Sequence, residues 1–252
     1  SRGLGDVYKR QDKMTGMNKK ETFRVKRKNA EQSNLPGMVV VVAIGIIELL
    51  DVFLLYRNIQ NGVVISVRSS SGQPIAFLLQ CLREFLIPAV LLIGFAFAFK
   101  RDFCQKMYMT IRGKWQKVVA IILAAVILGF TIYGLVAKAD KVAIVLSLFY
   151  YLVIVAFAEE FVMRDACTYF LRNTSWPVRY LLPNFFFALL HLFSYAKWGE
   201  ISNGVLLDFI SKGMLGYILG GCMFQLLKEK SGSIWLPVLL HCVMDYSVIF
   251  LY

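Results

Sequence analysis

Three short patterns in the second half of the chain bring together residues able to activate water. They are Glu159-Glu160-x-x-x-Arg164, Phe187-x-x-x-His191 and His241-x-x-x-Asp245. On a helix, a spacing of four puts both members on one face, so each pattern marks a polar stripe on an otherwise apolar segment. The two histidines are the only ones in the chain. A glutamate can take a proton from water, and imidazoles can orient that water or bind a metal. His241 and Asp245 on one face suit a histidine whose tautomer is fixed by a carboxylate, or a pair that stabilises an oxyanion.

Taken singly, each pattern has a plain structural reading: interfacial carboxylates, a core histidine with satisfied hydrogen bonds, a bonded His–Asp pair. Taken together they set both histidines near acids in segments where charge is costly unless it faces a protein interior or a water-filled cavity. That combination points to chemistry inside a membrane.

The elements that must carry these residues are membrane helices. Hydrophobic residues make up 58% of the 252 positions and charged residues 17%, an apolar share above that of soluble domains. Several apolar runs approach the roughly 20 residues a helix needs to cross a bilayer. They do not alternate as barrel strands would. The expected fold is all-α, a polytopic transmembrane bundle of about seven spans. Their expected ranges are about 38–56, 75–99, 118–136, 142–163, 180–195, 204–227 and 234 to the terminus. Basic residues in the successive connections number ten, two, six, two, three, one and two. Rich and poor connections alternate, which sets the N-terminus on the cytoplasmic side.

The net charge of +12 is concentrated at the start, where ten basic residues between Arg2 and Lys28 face four acidic ones. Residues 1–37 read as a flexible basic tail attracted to anionic lipid headgroups. Its two aromatics, Tyr8 and Phe23, do not interleave with its basic residues as a nucleic-acid stacking platform would. The opening SRGLGDVYKRQ lacks an initiator Met, and a start at Met14 or Met17 is expected. Pro36 and Gly37 punctuate the start of the first span. Glu48 and Asp51 in that span are expected to face the bundle or its rim, and Pro88 to kink the second span. Gly216 and Gly220 have the spacing of close helix contact, and Lys228–Ser233 reads as a tight loop. The five scattered cysteines form no CxxC pair and read as packing residues.

The ordered set EExxxR, FxxxH and HxxxD resembles the signature of the CAAX-protease and bacteriocin-processing (CPBP, or Abi) intramembrane endopeptidases, which include the Ras-converting enzyme. The resemblance covers roughly 143 to the terminus. It includes the glycine-rich sixth segment and the SGSIWLPVLLH stretch before the last motif. It implies that Glu159 is the general base, that His191 positions the water, and that His241 and Asp245 stabilise the oxyanion. Arg164 would hold Glu160 in an ion pair, and Phe187 would support the site. Many relatives have Asn at the position of Asp245. Relatives also commonly continue with a further span, whereas this chain ends seven residues after Asp245, so a missing C-terminal segment is expected.

The resemblance leaves two mechanisms open. Glu159, His191 and His241 are the candidate ligands for a catalytic zinc. The absence of the HExxH spacing of zinc proteases favours a glutamate–histidine mechanism with no obligatory metal. The chain thus divides into the tail at 1–37, N-terminal helices at 38–141 and a catalytic helical region at 142–252. The expected function is hydrolysis of a CAAX-type, bacteriocin or other membrane-associated peptide, with membrane lipids as partners and no nucleic acid. The expected site is a bacterial-type plasma membrane. Two other readings are a non-proteolytic immunity or partner-binding protein on the same fold, and a small transporter. The full water-activating set argues against the first. The clustering of ionisable motifs in one half argues against the second, since transporters tend to repeat their halves.

Overall fold

The computed structural model describes residues 19–251, with side chains from Leu35 to Phe250; the first half of the expected basic tail lies outside the described residues. Among the described residues every element is helical. Helix α1 (Lys19–Gln60) contains Pro36; its membrane-length apolar part is Leu35–Gln60, so Pro36 and Gly37 stand at the start of the span, inside a continuous helix. Gly37 has a packing reason. A Cβ there would stand 2.2 Å from the carbonyl oxygen of Phe170, and one on Gly45 would stand 2.4 Å from the ring of Phe186. These two glycines let α1 close against the helices that follow.

Helices α2 (Pro74–Glu84) and α3 (Leu86–Phe99) meet at Phe85, where the path bends by 54°. Pro88 has no N–H to give to the carbonyl of Glu84, which releases the helix at that point. Helix α4 (Lys114–Ala137) leads through a short turn to α5 (Lys141–Phe170). Asp140 caps α5: its carboxylate accepts from the Ser71 hydroxyl and from the Ala143 amide at 2.9 Å. These bonds, the Ser71 one foremost, hold its carboxyl below the usual carboxylate range.

Helix α5 is the centre of the molecule. A third of its apolar window is buried by protein, against 11–22% in the other long apolar helices, and Phe161, Val162, Met163 and Ala166 join the main core cluster. It is wound as π-helix over Tyr150–Phe157 and Phe161–Ala166, with one α turn, Ala158–Glu160, between. Helix α6 (Trp176–Leu190) starts at a Pro and carries Pro183 inside. Helix α7 (Asn203–Ser231) ends at Gly232, whose left-handed φ of 63° and amide bond to the Lys228 carbonyl close it as glycine caps do. Helix α8 (Trp235–Leu251) completes the bundle.

All seven expected segments are helical, but four helices are long and apolar enough to cross a membrane alone, or five if the bent α2–α3 pair counts as one. At 15 residues, α6 is shorter than a spanning helix. Two local expectations are corrected. Lys228–Ser231 is the last turn of α7 and not a loop. Gly216 and Gly220 make no close contact, since a Cβ on either meets nothing within 4 Å; Gly213 and Gly221 are the glycines pressed by neighbours.

Gly37→Ala is therefore expected to destabilise the protein by about 1–3 kcal/mol through overpacking against backbone. The same change at Gly94, where the added atom meets nothing within 4 Å, should leave the melting temperature in detergent unchanged. Equal melting curves for the two variants would contradict this packing.

Candidate active site

The α turn Ala158–Glu160 carries two adjacent glutamates, and the roughly 100° between neighbours on a helix sends them to different surroundings. Glu160 has no exposed surface. The side chain of Glu159 keeps 31% exposure and lines a cavity of about 720 Å³. Both reach His241, from opposite sides of its ring. The Nδ1 of His241 lies 3.0 Å from Oε1 of Glu160, and its Nε2 lies 3.9 Å from Oε2 of Glu159 and 3.3 Å from Oδ2 of Asp245. A carboxylate only accepts, so Nδ1 donates to Glu160. Asp245 sits one turn beyond His241 on the same face of α8. The ring of His241 is stacked on Phe224 at 5.4 Å and meets the edge of Phe187 at 6.4 Å.

His191 closes the C-terminal end of α6. Its Nδ1 lies 2.8 Å from the carbonyl oxygen of Phe187; a carbonyl only accepts, so Nδ1 carries the proton and Nε2 is left as an acceptor. The ring is held between Phe187 and Tyr217, at 4.3 and 4.4 Å. Glu159, His191, His241 and Asp245 all line the 720 Å³ cavity. The three motifs, distant in sequence, thus converge on one space.

Phe187 has two contacts at the site. Its carbonyl fixes His191, and its ring lies 4.0 Å beneath the guanidinium of Arg164. Arg164 is fully buried. Its Nε stands 3.3 Å from Oε2 of Glu160, within ion-pairing range but not aligned as a hydrogen bond. Stacking on an aromatic face suits a buried guanidinium, which is more weakly hydrated than an ammonium.

Some residues at the site were not legible as such. Glu48 and Asp51 on α1 and Glu84 on α2 line the same cavity; the bundle-facing expectation for the first two did not extend to a shared cavity. Their three-residue spacing, which puts Glu48 and Asp51 on one face, was the available signal. Asp165 and Lys228 are buried and ion-paired at 2.5 Å. The run LKEKSGS reads as surface, and nothing in it marks Lys228 as internal.

The three residues named as candidate zinc ligands, Glu159, His191 and His241, line the same cavity. Among the described residues no three His, Cys, Asp or Glu side chains are placed to hold a metal ion. The Nδ1 of each histidine is engaged by the Phe187 carbonyl or by Glu160, which leaves Nε2 as the ring nitrogen open to a ligand; that of His241 lies 3.3 Å from Oδ2 of Asp245.

An apolar helical bundle with acids and both histidines converging on an internal cavity is the architecture of an integral membrane protein with a polar interior site. Residues 141–247 match the family model of the type II CAAX prenyl endopeptidase Rce1-like proteins. The chain therefore carries, from α5 into α8, a domain of the CAAX-protease (CPBP) family, a family of proteases. Helices α1 to α4 lie outside the match. No curated protein and no solved structure matches the chain.

Arg164→Leu would leave Glu160 buried with one cationic partner fewer, and a loss of about 3–5 kcal/mol is expected. Adding Glu160→Gln should restore most of that loss, as read by thermal unfolding in detergent. A double variant no more stable than the single one would refute the ion-pair account.

Proposed function

We propose that the chain is an intramembrane endopeptidase that hydrolyses a peptide bond with water activated by Glu159. The observation that carries this reading is the shared cavity, in which Glu159 lies beside the Nε2 of His241 and which His191 and Asp245 also line. Glu159 takes a proton from water as the water oxygen bonds to the scissile carbonyl carbon. The free Nε2 of His191 accepts from that water and fixes its direction. The carbonyl oxygen becomes an oxyanion facing His241, whose ring is oriented by Glu160 and Asp245 and whose charge is complementary to the oxyanion in the doubly protonated form. The C–N bond then breaks, and Glu159 returns the proton to the leaving amine. No step needs a metal, and the role of Arg164 is to hold Glu160 in place.

The substrate class that suits this site is a membrane-associated or lipid-anchored peptide, of the CAAX or bacteriocin-precursor kind. The topology that accords with the alternating connection charges is seven spans with a cytoplasmic N-terminus. In it the bent α2–α3 pair and the two shorter helices each count as one span. The membrane that suits the basic tail is a bacterial-type plasma membrane with anionic lipid.

Glu159→Gln keeps size and hydrogen bonding but removes the base. It should lower cleavage by about 10²–10⁴-fold with an unchanged melting temperature. The measurement compares peptide termini in membranes carrying either form, by mass spectrometry. Termini common to both forms, with both proteins folded and inserted, would refute the assignment. Treatment of the purified protein with a chelator should leave the cleavage rate at its starting value, and loss of activity restored by zinc would overturn the metal-free mechanism.

A further inference from the structure

We propose that Lys228 is a positioning residue for the site: it pins the backbone of α5 at Arg164 and so fixes the Arg164–Glu160–His241 relay. The rate consequence rests on the protease reading above; the structural one does not.

Lys228 lies in the last turn of α7 and is 3% exposed. An ammonium has three donors and no acceptor, and here all three are used. Nζ stands 2.5 Å from Oδ1 of Asp165, 2.6 Å from the carbonyl oxygen of Arg164 and 3.3 Å from Oγ1 of Thr168. The ring of Tyr108 covers it at 4.5 Å. A buried ammonium satisfied on every side is a fixed point, since moving it would leave donors unmet in a low-dielectric interior.

What it fixes is specific. The carbonyl it holds belongs to Arg164, within the π-wound stretch Phe161–Ala166. The same carbonyl accepts from the Thr168 hydroxyl at 2.5 Å. Wider winding departs from the regular i→i−4 ladder, and side-chain donors hold the backbone where that ladder is weakest. The guanidinium of Arg164, by contrast, has no aligned hydrogen bond of its own; the Phe187 ring and the backbone place it. A shift of that backbone therefore moves the cation beside Glu160, and Glu160 holds Nδ1 of His241 at 3.0 Å.

The competing account is that Lys228 and Asp165 merely join α7 to α5. Replacing a buried ion pair by apolar residues of similar size is often neutral for stability, which separates the two. Lys228→Met/Asp165→Leu removes both charges together with the carbonyl pin. We expect the melting temperature to stay near that of the unaltered protein, while kcat falls by about tenfold to a hundredfold, as small misplacements near a reacting centre do, with KM unchanged. Thr168→Val, a near-isosteric change that leaves the ion pair in place, should lower kcat in the same sense by a smaller factor. It keeps the test alive if the double variant does not fold. The second readout is the imidazole ¹⁵N spectrum, in which His241 is one of two histidines and is assigned with a His191→Gln sample. Its Nδ1 resonance should move in both variants. If the unaltered protein cleaves no membrane peptide, the protease reading fails and this resonance alone decides. An unmoved Nδ1 signal, or an unchanged kcat in the folded double variant, would overturn the positioning role.

Discussion

Glu160 has no exposed surface, and an ion taken out of water costs several kcal/mol unless its partners are near and well placed. Its two partners come from different directions. Arg164 approaches Oε2 from one turn along α5, and His241 approaches Oε1 from α8. Arg164 is itself fully buried, so it needs cover in turn, which the ring of Phe187 on α6 supplies at 4.0 Å and that of Phe224 on α7 at 5.8 Å. Satisfying one carboxylate therefore draws α5, α6, α7 and α8 to a common point. These four helices overlap the region matched by the protease family. The packing and the polar site are consequences of the same requirement.

Adjacent identical residues receive opposite environments from this arrangement. Glu160 turns inward and is held on both oxygens, which suits a group that must not move. Glu159 turns towards the cavity and stands 3.9 Å from Nε2 of His241, beyond hydrogen-bond distance, so the ring does not tie its carboxylate down. A base needs that freedom and an orienting group needs the opposite. The backbone step between neighbours on a helix, with π winding before and after it, is enough to divide the two environments. Gly221 shows how closely the support is built. A Cβ there would stand 2.1 Å from Oδ1 of Asn184 and 2.9 Å from a terminal nitrogen of Arg164, so any larger residue would displace the Asn184 amide and crowd the Arg164 guanidinium.

The convergence of the three motifs was legible because each rests on a four-residue spacing, and helical periodicity turns spacing into a shared face. The helical class was legible from apolar run length alone. Span lengths were less so: Pro177 and Pro183 bound and interrupt α6, and a short helix leaves the same apolar signature as part of a long one. The π stretches of α5 have no compositional mark, because one extra residue per turn is imposed by neighbours rather than by propensity. Lys228 was read as loop since its sequence neighbours are charged; its burial depends on Asp165, 63 positions earlier, which no local pattern links to it. Gly216 and Gly220 had the spacing of a contact pair, yet that spacing says only that they share a face, and the face they share borders the cavity.

That open face bears on how the proposed hydrolysis would proceed inside an apolar bundle. A Cβ on Gly216 or Gly220 would meet nothing within 4 Å, and the lining that these glycines share with His191 and Tyr217 also includes Glu48, Asp51 and Glu84. A cavity filled by lipid chains would strand these carboxylates without donors, at a cost of several kcal/mol each. Water would satisfy them, and in the proposed hydrolysis it is also the reactant that Glu159 meets. The N-terminal helices, which lie outside the family match, supply three of the five acids lining the cavity. They supply part of the polar lining of a chamber to which α5, α6 and α8 bring Glu159, His191, His241 and Asp245.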